Sequence, residues 1–242
     1  VGQFASGVNI AQNTIFGLRN TNAGTANTVT GIEANAPLGP GTSVVERNLV
    51  YGLTSATSNS TAEINGIRIR SGLTTYRNNM IAIGAGVTTA VRINGINESL
   101  HSGSDNSTGS FYNNSVYIGG SPTAGTGNSF ALNSLQEDTA RNYVNNIFYN
   151  ARSNAGATGT NYAVQMGGSF LSPPGLTTNN NVYLANGAGG VFGRYNSANV
   201  ADMNAWRAAV GQDANSFSTD PKFVDPISST PNLHLQASNP ES

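Results

Sequence analysis

The sequence predicts an all-β fold, a right-handed parallel β-helix of about six to seven coils, closed by one short C-terminal helix. Three observations lead there. Asparagine supplies 34 of 242 residues. A short Asn-anchored motif recurs at nearly constant spacing. Between successive anchors lie brief stretches of period-two alternation, the pattern of β-strands, separated by Gly, Ser, Thr and Asn clusters that read as loops.

The anchors share Asn, any residue, an aliphatic and then usually an aromatic: Asn13 to Phe16, Asn48 to Tyr51, Asn79 to Ala82, Asn114 to Tyr117, Asn145 to Phe148 and Asn180 to Tyr183. Their spacings are 35, 31, 35, 31 and 35 residues. Self-similarity at a period of roughly 20–50 residues marks a solenoid, propeller or array. A second element, Thr30-Gly-Ile-Glu33, recurs as Asn65-Gly-Ile-Arg68, Asn94-Gly-Ile-Asn97 and, more loosely, Asn133-Ser-Leu-Gln136. A third precedes the anchors: Val44 to Arg47, Thr75 to Asn78, Ser110 to Asn113 and Asn142 to Val144. Three short strands per repeat, joined by corners of variable length, describe one coil of a β-helix. A propeller blade is longer, roughly 40–45 residues, and wants hairpins that the sequence lacks.

Asparagine tolerates the left-handed backbone that a tight corner needs. Stacked coils bring like residues together, so their amides can bond along the axis as Asn ladders do in cross-β stacks. Asn13, Asn48, Asn79, Asn114, Asn145 and Asn180 are the expected ladder. The same stacking sets Glu33 beside Arg68, Glu63 beside Arg92 and Glu46 beside Arg77, opposite charges that support the register.

After residue 198 the pattern changes, so a single domain of residues 1–242 divides into coils (1–198) and a closing segment (199–242). Asn199 reads as an N-cap with Asp202 in the first turn. Val200, Met203, Ala205, Trp206, Ala209 and Val210 form an apolar stripe at helical spacing, and Gly211 suits the stop, which predicts a helix over 199–210. Ser216 to Pro226 and Leu233 to Gln236 read as an extended finish.

Composition removes several functions. The formal net charge is −1, charged residues are 10% against roughly 25% in ordinary domains, and Lys222 is the one lysine. Nucleic-acid binding, which needs clustered cations, is therefore not expected. No apolar run approaches the ~20 residues that cross a bilayer, so no membrane insertion is expected. Zero cysteines exclude disulfides and thiolate chemistry, and His101 and His234 are the two histidines. The chain opens at Val1 with neither Met nor a signal-peptide pattern, as a processed product or an excised piece does.

The anchor repeats, Trp206 with Gly211 to Ser216, the Asp220 to Phe223 step, and Leu233-His-Leu235 followed by Ser238-Asn-Pro240 resemble right-handed parallel β-helix repeat proteins. More narrowly, they are similar to β-helix modules of very large secreted surface proteins of Gram-negative bacteria, including those exported by the type IX system. The resemblance covers nearly the whole chain. It implies the fold and an extracellular or cell-surface place, and carries no reaction.

Two surface features could bind a ligand. Aligning Ile96 with Leu135 stacks Glu98 on Glu137, with His101, Asp105, Asp138 and Arg141 near in sequence. Like charges at the inter-strand spacing of about 5 Å raise one pKa or invite a cation such as Ca²⁺. Glu98, Asp105, Glu137 and Asp138 are thus the candidate metal cluster, against the plainer reading of a solvated loop edge. The second feature is the residue three beyond each anchor: Phe16, Tyr51, Ala82, Tyr117, Phe148 and Tyr183. If these point outward they form an aromatic stripe for a polysaccharide or a neighbouring fibre, unless loops or the C-terminal segment cover it.

No catalytic residue is assigned. No Gly-x-Ser-x-Gly elbow is present, the glycine-rich stretch 187–193 lacks a phosphate-binding lysine, and glycosylation sequons such as those at Asn59, Asn97 and Asn106 are expected by chance in so Asn-rich a chain. No cofactor is expected. The functional expectation is a non-enzymatic structural protein, a surface stalk, adhesin or fibre subunit. The alternative is a β-helix that binds or cleaves polysaccharide as lyases and glycosidases do. Unpaired strand edges at the ends of a solenoid invite end-to-end self-association into filaments.

Overall fold

The computed structural model describes residues 7–24, 26–36, 43–59, 61–89, 91–98, 107–137, 139–167 and 171–237. It is a parallel β-solenoid. Its first face is a six-stranded sheet built from Thr14–Phe16, Leu49–Tyr51, Met80–Ile83, Ser115–Ile118, Ile147–Asn150 and Val182–Ala185. Each strand pairs in parallel with the strand one coil away. The second face runs from Thr28–Asn35 through Arg92–Glu98, Ser129–Ser134 and Asn161–Met166 to Gly190–Tyr195. The third runs from Asn9–Ala11 through Ser43–Glu46, Ser107–Tyr112 and Arg141–Val144 to Leu176–Asn179. The long strand Glu63–Arg77 belongs to both, its first half on the second face and its second half on the third, and so joins them into one twelve-stranded sheet.

The interior is filled by columns of like residues, one per coil. Ile15, Val50, Ile81, Val116, Phe148 and Tyr183 line the first face. Ile32, Ile67, Ile96, Leu132 and Val164 line the second. On the third, Tyr76, Phe111 and Tyr143 stack as flat rings 4.8 and 4.7 Å apart. Glycine in the Gly-Ile steps has a packing reason. A Cβ on Gly66 would stand 2.4 Å from Ile81 and one on Gly95 2.3 Å from Val116, so the second face crosses close over the first. The three charge pairs expected from the register form: Arg68–Glu33 at 3.8 Å, Arg92–Glu63 at 3.6 Å and Arg77–Glu46 at 2.6 Å.

The helix is shorter than its apolar stripe implied. It spans Met203–Val210, with Asp202 rather than Asn199 as N-cap, accepting from the Ala205 amide at 2.9 Å. Gly211 ends it in the left-handed conformation, as expected. Residues Ala198–Val200 are instead a strand antiparallel to Gly190–Tyr195. Asn196 and Ser197, both at positive φ (45° and 62°), make the two-residue turn between them. Such a hairpin competes directly with a helix start at Asn199. The chain finishes as a second antiparallel hairpin, Phe223–Asp225 with Asn232–Leu235.

Candidate functional site

The sharp corner between the third and first faces holds the amide ladder. Asn13 donates its backbone N–H and its Nδ2 to Oδ1 of Asn48, both at 3.0 Å. Asn48 repeats this to Asn79, Asn79 to Asn114, Asn114 to Asn146, and Asn146 to Asn181. The ladder closes on Ser216 Oγ, which accepts from the Asn181 backbone at 2.9 Å. From Asn48 to Asn181 each Nδ2 also reaches a carbonyl on the preceding coil, so each of these five amides is bound from both sides.

Asn145 and Asn180 are not rungs. They are the preceding corner residues, at φ 58° and 56°, in the column of Gln12, Arg47, Asn78 and Asn113, all left-handed. The corner therefore uses two residues per coil. The first turns the chain and points to solvent, and the second turns inward and bonds.

The same one-residue offset revises the aromatic stripe. Phe16 and Tyr51 face outward and stack at 5.2 Å, and Tyr117 faces outward as well. Phe148 pairs with Val116, and Tyr183 with Phe148, so both belong to the fully buried interior column. Tyr149 and Leu184 hold the outward positions in their place. Much of the stripe is covered. Phe223 and Leu233 of the final hairpin are buried against Ala82 and Tyr117, and Phe223 lies 6.4 Å from Tyr149. Phe16 and Tyr51 still border a groove of about 320 Å³, walled by Pro226 and Ile227 of the hairpin turn. Their rings are nearly parallel (6°), so each covers a face of the other.

The acidic cluster does not assemble as aligned. Ile96 pairs with Leu132, three residues before Leu135, which puts Glu98 beside Ser134 and Ile69 and away from Glu137. Glu98 faces the interior and is fully buried. It accepts from Ser134 Oγ at 2.9 Å and from the Tyr143 hydroxyl. Burial first, then the neighbouring Glu98 charge, pushes the Tyr143 phenol well above its ordinary range. Arg141 also points inward, its Nη1 bound to the carbonyls of Thr139 and Pro174 at 2.9 and 3.3 Å. Glu137 is exposed. His101, Asp105 and Asp138 lie outside the described residues. Among those described, no group of three or more His, Asp or Glu side chains could hold a metal.

Two polar centres had no counterpart in the sequence reading. Arg152 is buried, and its guanidinium binds the carbonyls of Gly84, Gly119, Val87 and Thr89 at 3.0–3.4 Å, fastening loops of different coils together. Burial lowers its pKa to about 10. Asp213 closes the C-terminal end, accepting from Trp206 Nε1 at 2.9 Å, Thr178 Oγ1 at 3.1 Å and Ser216 Oγ at 2.5 Å. The 35-residue step from Asn181 to Ser216 was the available signal for this closure.

Comparison with protein-family models, curated proteins and solved structures finds no match to this chain in any of the three.

Proposed function

We propose that the chain is a non-enzymatic structural module, a β-solenoid segment of an extracellular surface stalk, adhesin or fibre subunit. One observation carries the reading. Of the nine described carboxylates, eight are engaged within the fold. Glu33, Glu46, Glu63 and Asp220 pair with Arg or Lys. Glu98 and Asp213 are buried acceptors, Asp202 caps the helix, and Asp225 accepts the Ile227 and Ser228 amides of the hairpin turn. Glu137 alone is left over. A glycosidase needs two free carboxylates facing one bond, and a lyase of this fold needs several around a cation. A spacer needs only the rigidity that the ladder and columns supply. The secreted, cell-surface setting is supported by the sequence resemblance to bacterial surface β-helix modules.

The test is activity against pectin, alginate and neutral glucans, read as unsaturated uronate absorbance and new reducing ends, together with electron microscopy of the purified chain. The reading expects no product and uniform short rods or end-to-end assemblies. Product formed at a rate that Glu137→Ala abolishes would replace it with the polysaccharide-cleaving alternative.

A further inference from the structure

We infer that the polar centre around Asp213 is a self-modification site, at which the Thr178 hydroxyl attacks the side-chain amide of Asn181 to form an internal ester and release ammonia. The inference goes beyond the structural reading and adds to it a covalent staple at the closed end of the ladder. A nucleophile, a base and a polarised acyl group meet there. In the inward column of Val45, Tyr76, Phe111, Tyr143 and Thr178, each residue stands three before its rung, and only Thr178 carries a hydroxyl on Cβ. Its Oγ1 accepts from Asn181 Nδ2 at 3.0 Å. Nδ2 is bonded directly to the acyl carbon Cγ, so a rocking of either side chain carries the oxygen from the nitrogen to the carbon.

The base is Asp213. Thr178 Oγ1 donates to both of its carboxylate oxygens at 3.1 Å, so the hydroxyl proton already points at the group that would take it. The pair is pinned by a backbone bond from the Asp213 N–H to the Thr178 carbonyl, also 3.1 Å. Arg207 spends Nε and Nη2 on the Asp213 and Ser216 carbonyls and leaves the carboxylate without an ion pair among the described residues. The acyl group is Asn181. Its Oδ1 accepts from the Asn146 backbone N–H at 2.8 Å and from Asn146 Nδ2 at 3.2 Å, two donors placed as an oxyanion hole places them. Thr178, Asn181, Tyr183 and Asp213 are all buried, which excludes the water that would compete for the amide or hydrolyse the ester.

The step balances without a co-reactant. Asp213 takes the Oγ1 proton as an oxygen lone pair bonds to Asn181 Cγ, and the negative charge passes to Oδ1 between the two Asn146 donors. Collapse re-forms the carbonyl and breaks the Cγ–Nδ2 bond. The nitrogen leaves with the proton from Asp213 as ammonia, and Asp213 returns to its carboxylate. Holding the reacting groups in contact supplies the high effective concentration that an amide needs to react with an alcohol. The ladder survives the change, since the ester carbonyl keeps both bonds from Asn146, while the Tyr143 carbonyl loses its Nδ2 donor.

Intact mass spectrometry of the folded chain tests this. The expected mass is about 17 Da below the sequence value, the loss of one ammonia. The deficit should lie in the tryptic peptide Ser153 to Arg194, with no backbone fragments between Thr178 and Asn181 because a ring closes them. Thr178→Val should restore the full mass and Thr178→Ser should keep the deficit. Should either variant fail to fold, the unaltered chain still decides. Unfolded in urea from the moment of isolation it should show the full mass, and after refolding it should lose ammonia with time. A full mass that persists in the folded chain would overturn the inference. So would a deficit that Thr178→Val retains, or one mapped to the Asn-Gly steps at Asn65, Asn94 or Asn186, where a succinimide gives the same loss. Sugar release would end the structural reading and leave the mass as it is.

Discussion

The amide column ends in two different ways, and the contrast shows what a solenoid end requires. At the C-terminal end Asn181 passes its hydrogen bond to Ser216, Ser216 passes its own to Asp213, and Trp206 sits on the same carboxylate. The Trp206 ring contacts Tyr183, Phe192 and Tyr195 and is fully buried. A polar column and an apolar core are thus closed by one hub. At the N-terminal end the same column stops at an exposed Asn13, with apolar residues half-covered beside it. Identical ladder chemistry is therefore buried and two-sided at one end, solvated and one-sided at the other. Its energetic weight should differ accordingly.

The largest expected effect falls on the closed end. Trp206→Ala removes a buried ring and one of the donors to the buried Asp213 carboxylate, and should cost about 3–5 kcal/mol in denaturant unfolding. Next comes the ladder itself. Asn114→Ala removes the acceptor of the buried Asn79 backbone amide, one of the two acceptors of Asn79 Nδ2 and a donor to the Tyr76 carbonyl, at a cost of about 2–4 kcal/mol. Asn13→Ala, at the solvated end, should cost less than about 1 kcal/mol. Equal costs would break the comparison. Within one corner, Asn146→Ala should resemble Asn114→Ala, while Asn145→Gly should stay within about 0.5 kcal/mol, since glycine takes the left-handed conformation freely.

Smaller effects follow pH. Tyr76, Tyr143 and Tyr183 are held well above the ordinary phenol value of 10.0 by burial, helped by Glu98 at the first two and by Asp213 at the third. A raised folded pKa means that the unfolded chain loses protons first. Stability from these groups is complete below pH 10 and falls as pH rises above it, so their tyrosinate absorbance should appear only with unfolding. Acid acts most weakly. Hydrogen bonds from Arg77 and then Arg47 hold Glu46 below its ordinary 4.5. Its contribution is present above that value and fades as pH falls below it, so Glu46→Gln should flatten this part of a melting-temperature profile.

Much of the fold was legible because stacking forces like residues into columns, and columns appear as periods. The three cross-coil charge pairs could be read for that reason. The failures are failures of phase. Asn78-Asn79 and Asn113-Asn114 were anchored on the second asparagine, but Asn145-Asn146 and Asn180-Asn181 on the first, because both members of each pair suit a corner. That single offset placed Phe148 and Tyr183 on the surface when they are core. At Asn133-Ser-Leu, likeness to Asn94-Gly-Ile hid a three-residue shift, since Phe130, Ala131 and Leu132 take the paired positions instead. Glu98 thereby moved from a surface cluster to an interior acceptor. Arg152 left no signal, since its partners are backbone carbonyls from two loops, to which sequence is blind.

Hydrogen exchange followed by mass spectrometry, resolved rung by rung along the ladder, tests the contrast between the ends most directly. The account predicts slow exchange in Val182–Ala185 and at Asn181, where Asp213 and Trp206 close the stack, and fast exchange in Asn9–Ala11 and Thr14–Phe16, with a gradient between. Protection equal at the two ends, or loss that begins at the Trp206 end, would contradict it.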